Sequence, residues 1–508
     1  MSPLTYIFGF PILGALLILL IPRNYRFVIR SVALLATLLS AVVAVGMFAR
    51  FDTTLAGDSF QFVQQIAIVP SLGINYHVGV DGINLGLILM GAIVVFAATC
   101  VSRQIKTREK EFYVLLLVMG GGILGAFASL DLFFFYFFHE LALVPTFIMI
   151  GVWGRGENKN FATFQITLYL SVGALLVLLG LIALYLQLPA PDRTFDLVAL
   201  THYFKAHPLR ANVQHVIFPL LLFGFGILVS LWPFHTWAPI GYGAAPTATA
   251  MIHAGVLKKF GLYGLIRIAL PMMPDEAQSW ANIISLLCLG NILYCGLVAM
   301  RQRNLNLLIG NSSVAHMGFA FLGIASLSLI GITGTVVVMV AHGFLAALTF
   351  ALSGYLRDEI KTLDMDEMGG LLRPLPFIGA VMIMAMLAGC GLPGFAGFPG
   401  EALVLFGSWR RSEFITGLAV WGALVIGGVY MLRAIRTIWH GDKEWKNIAD
   451  ATTFWQKVPY GLLLAALLLF GCFPRLLTDK IKASVAPVVK TIGAEALEIT
   501  PVLKSHRR

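Results

Sequence analysis

The chain has 508 residues, of which 58% are hydrophobic and 12% charged, and 35 Lys+Arg against 25 Asp+Glu leave a net charge of +10. Soluble domains carry roughly 25% charged residues. A mean hydropathy of +0.86 over this length therefore exceeds what one water-facing core can absorb, and the excess must face lipid: this is a polytopic membrane protein.

The five cysteines (Cys100, Cys288, Cys295, Cys390, Cys472) stand far apart with no CxxC pair, so the usual ligand spacing for an iron–sulfur cluster, zinc or haem is missing. The basic balance reflects topology and does not call for nucleic acid. The N-terminus opens without a basic residue, and its apolar run 6–21 lacks the cleavage site of a signal peptide, which predicts a retained first helix.

A bilayer-spanning helix needs about 20 mainly apolar residues. Runs of that kind fall near 4–22, 28–49, 82–102, 112–129, 131–152, 163–188, 214–238, 244–270, 279–300, 305–325, 328–355, 374–408, 414–438 and 457–476. The expected fold is thus an all-α polytopic membrane protein of about fourteen transmembrane helices. The connections after odd-numbered spans hold 19 Lys and Arg, those after even-numbered spans 6, which predicts both termini on the outer side. Beyond the last span, 477–508 reads either as an amphipathic helix on the membrane surface or as a solvated tail.

Two spans share an unusual grammar. The seventh runs into Trp232-Pro233-Phe234-His235-Thr236-Trp237-Ala238-Pro239, the twelfth through Leu392-Pro393-Gly394 to Pro399-Gly400-Glu401. Proline removes a backbone donor and glycine loosens the helix, so both spans should break at mid-membrane, where unwound backbone survives only inside protein or beside water. They lie five spans apart. That spacing fits two inverted five-helix repeats, spans 4–8 (about 112–270) and 9–13 (about 279–438), within a transmembrane domain 1–476; ordinary proline kinks are the simpler alternative.

A charge at mid-bilayer costs at least about 2.5–3.5 kcal/mol, so each buried ionisable group needs a reason. Glu140 is one acid among aromatic and aliphatic residues of the fifth span; it is either functional or a structural carboxylate bonded to a neighbouring helix. Lys258 and Lys259 lie deep in the eighth span, and adjacent helical residues diverge by about 100°, so they must point in different directions. A buried lysine can exchange its proton in the physiological range, although Lys258 could instead snorkel to an interface. Glu401 follows the twelfth-span break, where it can meet water or cap a half-helix. His316 and His342 occupy neighbouring spans and can pass protons through both ring nitrogens, or be satisfied core residues. His235 and His253 are weaker candidates beside the first break, and Arg267 is expected at an interface. No hydrolytic triad, Walker loop or dinucleotide fingerprint is present, so proton or cation movement is the natural chemistry.

The pattern resembles the antiporter-like subunits of proton-pumping NADH:quinone oxidoreductase (respiratory complex I), most of all their M-type branch, the counterpart of mitochondrial subunit 4. The resemblance rests on His77-Val78-Gly79-Val80-Asp81-Gly82, Glu140-Leu141-Ala142-Leu143-Val144-Pro145, and Pro233-Phe234-His235-Thr236-Trp237 with Ala245-Pro246-Thr247. It continues through Gly255-Val256-Leu257-Lys258-Lys259, Ser313-Val314-Ala315-His316-Met317-Gly318, Ala341-His342-Gly343, Met368-Gly369-Gly370-Leu371 and Leu392-Pro393-Gly394 to Gly400-Glu401.

That resemblance implies fourteen core helices and a chain of titratable residues: Glu140, Lys259, His316, His342 and Glu401. It implies no cofactor in this chain. FMN, iron–sulfur clusters and quinone would belong to partner subunits. The expected partners are antiporter-like membrane-arm subunits on both sides, the lipid bilayer, and protons or Na+. The expected place is an energy-transducing membrane, the bacterial inner (plasma) membrane. Two positions depart from the pattern. The lysine that the family carries on the seventh span is Leu228 here, so Glu140 lacks its partner and the extra Lys258 is the candidate replacement. The family's Asp-x-Lys-Arg before the tenth span reads Asn304-Leu305-Asn306-Leu307. Alternative readings are a subunit of a multisubunit cation/proton antiporter, of a membrane-bound hydrogenase or of a carbon-dioxide-hydrating complex, or a structural subunit with a decayed channel.

Overall fold

A computed structural model describes residues 2–55, 59–446 and 448–493. Among them, twelve helices are long and apolar enough to cross a membrane. The outer ones turn half or more of their surface outward: Leu13, Leu16, Leu17, Leu35, Phe164, Leu175, Leu424 and Leu432 are all exposed large apolar side chains. Water would not tolerate such a surface and lipid does, so the hydrophobic pattern is reversed relative to a soluble bundle. At the centre stand Leu305–Ala325 and Leu329–Ile360, whose most apolar windows are 94% and 100% buried. The site histidines sit on these two helices.

Three expected spans are not single regular helices. The eighth is helical on both sides of Lys258, as 247–257 and 259–272, with π turns at His253–Leu257 and Leu265–Ala269. The twelfth is split into Pro376–Gly389 and Gly397–Trp409. The seventh stops at Val229, where Ser230 takes a left-handed conformation, and resumes as Trp237–Ala244.

One element escaped the apolar-run reading: an antiparallel hairpin, Gln61–Val69 paired with Ile74–Val80, which closes one end of the bundle. Its strands are too short and too polar to register as spans. The hairpin is clipped to the short helix Leu197–Ala206 by Asp196. This carboxylate lies 2.6 Å from His77 Nδ1, accepts the Ala199 N–H at 2.9 Å and accepts Gln65 Nε2 at 3.2 Å. The same end is tied to the C-terminal helix Arg475–Thr491. Asp81 caps Gly82–Val101 in a reciprocal box with Asn84, the Gly82 N–H donates to Ser484 Oγ at 2.9 Å, and Arg267 reaches Asp81 at 2.5 Å. Arg267, expected at an interface, is buried at this end of the bundle between the Phe60 and Tyr263 rings. The C-terminal helix buries Leu477, Ile481, Val485 and Val489 along one stripe, as an amphipathic helix should. Residues 494–508 of the expected segment lie outside the described residues.

Burial raises the Asp196 carboxyl, but the His77 hydrogen bond and the Ala199 and Val198 N–H groups outweigh it and hold the group below the usual carboxylate range. A depressed carboxyl contributes its stability fully above its unfolded value of about 3.9 and loses it as pH falls through the lower folded value. The clip should therefore be intact at neutral and mildly acid pH. Asp196→Ala should cost about 1–3 kcal/mol by stranding the Ala199 N–H and His77, read at pH 7 as faster proteolysis around the hairpin. Unchanged cleavage would mean that the clip adds nothing.

Candidate functional site

Lys259 is fully buried in the eighth span. The π turn just before it widens the backbone spacing, so that the Lys258 N–H bonds to the His253 carbonyl at 3.1 Å and the Ala254 carbonyl is left free of that ladder. The Lys259 ammonium takes it, at 2.6 Å, and lies 2.8 Å from His342 Nδ1 on the Leu329–Ile360 helix. The two backbones can come this close because glycine faces glycine: a methyl group on Gly255 would sit 2.9 Å from the Gly343 carbonyl oxygen.

From His342 the line continues to His316, with ring centroids 5.6 Å apart. His316 Nδ1 is 2.7 Å from the Ser312 carbonyl. A carbonyl only accepts, so Nδ1 carries the hydrogen and Nε2 is left facing Glu401 Oε1 at 3.8 Å. Glu401 stands at the start of the second turn of Gly397–Trp409, beyond the break at Gly391 and Gly394, both of positive φ. Small cavities flank His316 and Glu401, walled by Cys390, Tyr430 and Val338. Lys259, His342, His316 and Glu401 thus form one connected line through three helices and a half-helix.

Lys258 diverges from its neighbour, as the helical geometry requires. Its ammonium lies 3.4 Å from Ser313 Oγ and 3.5 Å from the Ser313 carbonyl, over the Tyr242 ring at 5.7 Å. It is fully buried and does not snorkel. Glu140 stands apart from the line. Its Oε1 is 3.6 Å from His139 Nδ1, its side chain is 31% exposed, and among the described residues no lysine or arginine pairs with it. Leu228 is a buried apolar residue against Gly173. His235 turns to Tyr294 and its own Pro233 carbonyl, away from the line.

Four contributors were not singled out in the sequence. Ser312 and Ser313 hold His316 and Lys258, and Tyr430 donates to Ser312 Oγ at 3.0 Å. Asn291 repairs the first break: its amide donates to the Ser230 carbonyl at 2.9 Å and the Val314 carbonyl at 3.2 Å, and its oxygen accepts the Trp232 N–H at 2.8 Å. A lone asparagine in the apolar run 288–296 was the available signal.

Residues 129–427 match the family model described as the transmembrane region of NADH:quinone oxidoreductase and the Mrp antiporter. The chain belongs to this family. Subunit M of the NADH-quinone oxidoreductase of Rhodobacter capsulatus is 33% identical over 476 residues, 91% of each chain. Chain 4 of the NAD(P)H-quinone oxidoreductase of Picosynechococcus is 33% identical over 503 residues, 97% of this chain and 92% of that one. A chain of respiratory complex I from Thermus thermophilus superposes with a TM-score of 0.87 at 27% identity, covering 97% of this chain and all of the other. The Mrp complex of a Dietzia species shares the fold at 16% identity and a TM-score of 0.83.

In this M-like family member, Asn291→Leu should strand the Ser230 carbonyl and the Trp232 N–H in apolar surroundings at about 1–3 kcal/mol each. A thermal unfolding midpoint in detergent lowered by several degrees is the expected result; an unchanged midpoint would show that water or relaxation replaces the side chain.

Proposed function

We propose that this chain is the M-type, proton-translocating subunit in the membrane arm of an NADH:quinone oxidoreductase. The supporting observation is the line Lys259–His342–His316–Glu401, a run of groups that can each hold and release a proton, crossing the most deeply buried helices. With its hydrogen on Nδ1, neutral His316 offers Nε2 to a proton from Glu401. His342 offers Nδ1 to the Lys259 ammonium. Redox chemistry at FMN, iron–sulfur clusters and quinone in partner subunits supplies the drive, and this chain contributes only proton-carrying side chains.

Glu140 shares the exposed face of the fifth span with Phe133, Phe137, Val144 and Ile148. A carboxylate on a lipid-facing surface is costly, so a neighbouring antiporter-like subunit covers this face and a second one lies beyond Glu401. The two breaks, five spans apart, support inverted repeats 112–270 and 279–438 within a domain of about fourteen spans. The asymmetry of Lys and Arg supports both termini on the outer side of a bacterial inner membrane.

Gentle solubilisation of native membranes and mass spectrometry of what co-purifies with this chain tests the assignment. Stoichiometric flavin and iron–sulfur proteins are expected; small hydrophobic partners alone would replace it with the cation/proton antiporter reading. Within the purified complex in vesicles, Lys259→Met should lower NADH-driven acidification at least about tenfold, the lower range for losing a proton-transfer group. Lys258→Met should do as much harm as Glu140→Gln, and near-normal pumping in Lys258→Met would remove it from the path.

A further inference from the structure

The line from Lys259 to Glu401 leaves Glu140 unconnected, and the seventh span gives it nothing, because Leu228 is apolar and buried. The space between Glu140 and the lysines is nevertheless not inert. Among the described residues, thirteen buried side-chain polar atoms have no hydrogen-bond partner, and four of them gather here: Glu140 Oε1, His139 Nδ1, His253 Nδ1 and the Tyr242 hydroxyl. Each such orphan in an apolar core costs about 1–3 kcal/mol. Four together are difficult to explain as packing and are what a water-bridged polar path requires.

The placement is directional. His139 Nδ1 faces Glu140 at 3.6 Å, and its ring stacks on Phe260 at 3.9 Å, beside Lys259. His253 opens the π turn that ends at the lysines, and its own carbonyl takes the Lys258 N–H. Its ring lies flat against Trp237, the first residue of the half-helix after the break, at 5.5 Å, and edge-on to Tyr242 at 5.4 Å. The other face of this small aromatic box is Lys258, over the Tyr242 ring at 5.7 Å. Both imidazoles are only 1% exposed.

We infer that His139 and His253 carry protons between Glu140 and Lys258, with water between the rings, and so complete the path that the apolar Leu228 interrupts. In one direction the Glu140 carboxylic acid gives its proton to His139 Nδ1. The resulting imidazolium releases its other N–H proton to water, water protonates His253, and His253 returns the neutral state by giving a proton to the neutral Lys258 amine. No atom is lost or gained, and each imidazole ends neutral as the other tautomer, which ring rotation or the reverse transfer resets.

This inference rests on the translocation reading above, and the test separates the two. NADH-driven acidification is measured in native-membrane vesicles, with assembly checked by the amount of complex. Glu140→Gln and Lys259→Met serve as reference variants. His139→Gln and His253→Gln should each lower proton movement per NADH at least about tenfold, the lower range for a general acid–base group, with assembly kept. His253→Gly should then recover in millimolar imidazole and not in pyrazole, which fills the same space but holds a proton far more weakly. Normal pumping in both glutamine variants while the reference variants fail would overturn the histidine path alone. Equal recovery in imidazole and pyrazole would reduce His253 to a filler and overturn it too. Normal pumping in the reference variants would overturn the translocation reading itself.

Discussion

An ammonium group that has left water must find its acceptors inside the protein, and the meeting of Lys259 with the Ala254 carbonyl and His342 satisfies that demand. Everything near it serves the contact. The π turn frees the carbonyl, the glycine pair at 255 and 343 lets the helices approach, and two fully enclosed helices keep lipid away. Without a partner the lysine would have to neutralise permanently or the segment would have to shift toward an interface. With one that is itself a proton acceptor, the charge has two adjacent homes of the same kind.

The broken helices follow the same rule by different means. At the first break a side chain, Asn291, reaches in from a neighbouring helix and satisfies the Ser230 carbonyl and the Trp232 N–H. At the second, the Ala396 N–H bonds to the Leu467 carbonyl at 2.9 Å, and Gly471 lets the two backbones touch. The first solution depends on one amide group. The second depends on main chain and on the absence of a side chain. Both give interrupted backbone its partners inside protein, as unwound segments of a membrane protein require.

Much of this was legible in the sequence. Long solid apolar runs name helices directly, and a Pro or Gly cluster inside such a run names a break; the stops at Val229 and Gly389 fall where those clusters begin. Glu140, Lys259, His316, His342 and Glu401 stood out because a charge in an apolar run is rare. What connects them was not legible. No residue pattern announces the π turns at 253–257 and 265–269, since their composition is that of any apolar helix, and partners separated by 83 residues, as Lys259 and His342 are, leave no local trace. The hairpin 61–80 leaves no apolar run of spanning length, because its strands are short and interleave polar residues with apolar ones. The pairing of Arg267 with Asp81 left no local trace either, its partner lying 186 positions away.

The π turn before the lysines also bears on how such a chain can change. A π turn is an α-helix holding one residue more than its length requires. Loss of a single residue from 253–257 would let the segment relax to ordinary α geometry, and because the surplus residue is what the wide turn stores, the side chains on either side would keep their directions. Lys259 would still point toward His342, but the Ala254 carbonyl would return to the helical ladder and stop serving the lysine. The direction of the lysine survives such a deletion; one of its two acceptors does not. Length, more than composition, is what inheritance has to guard here.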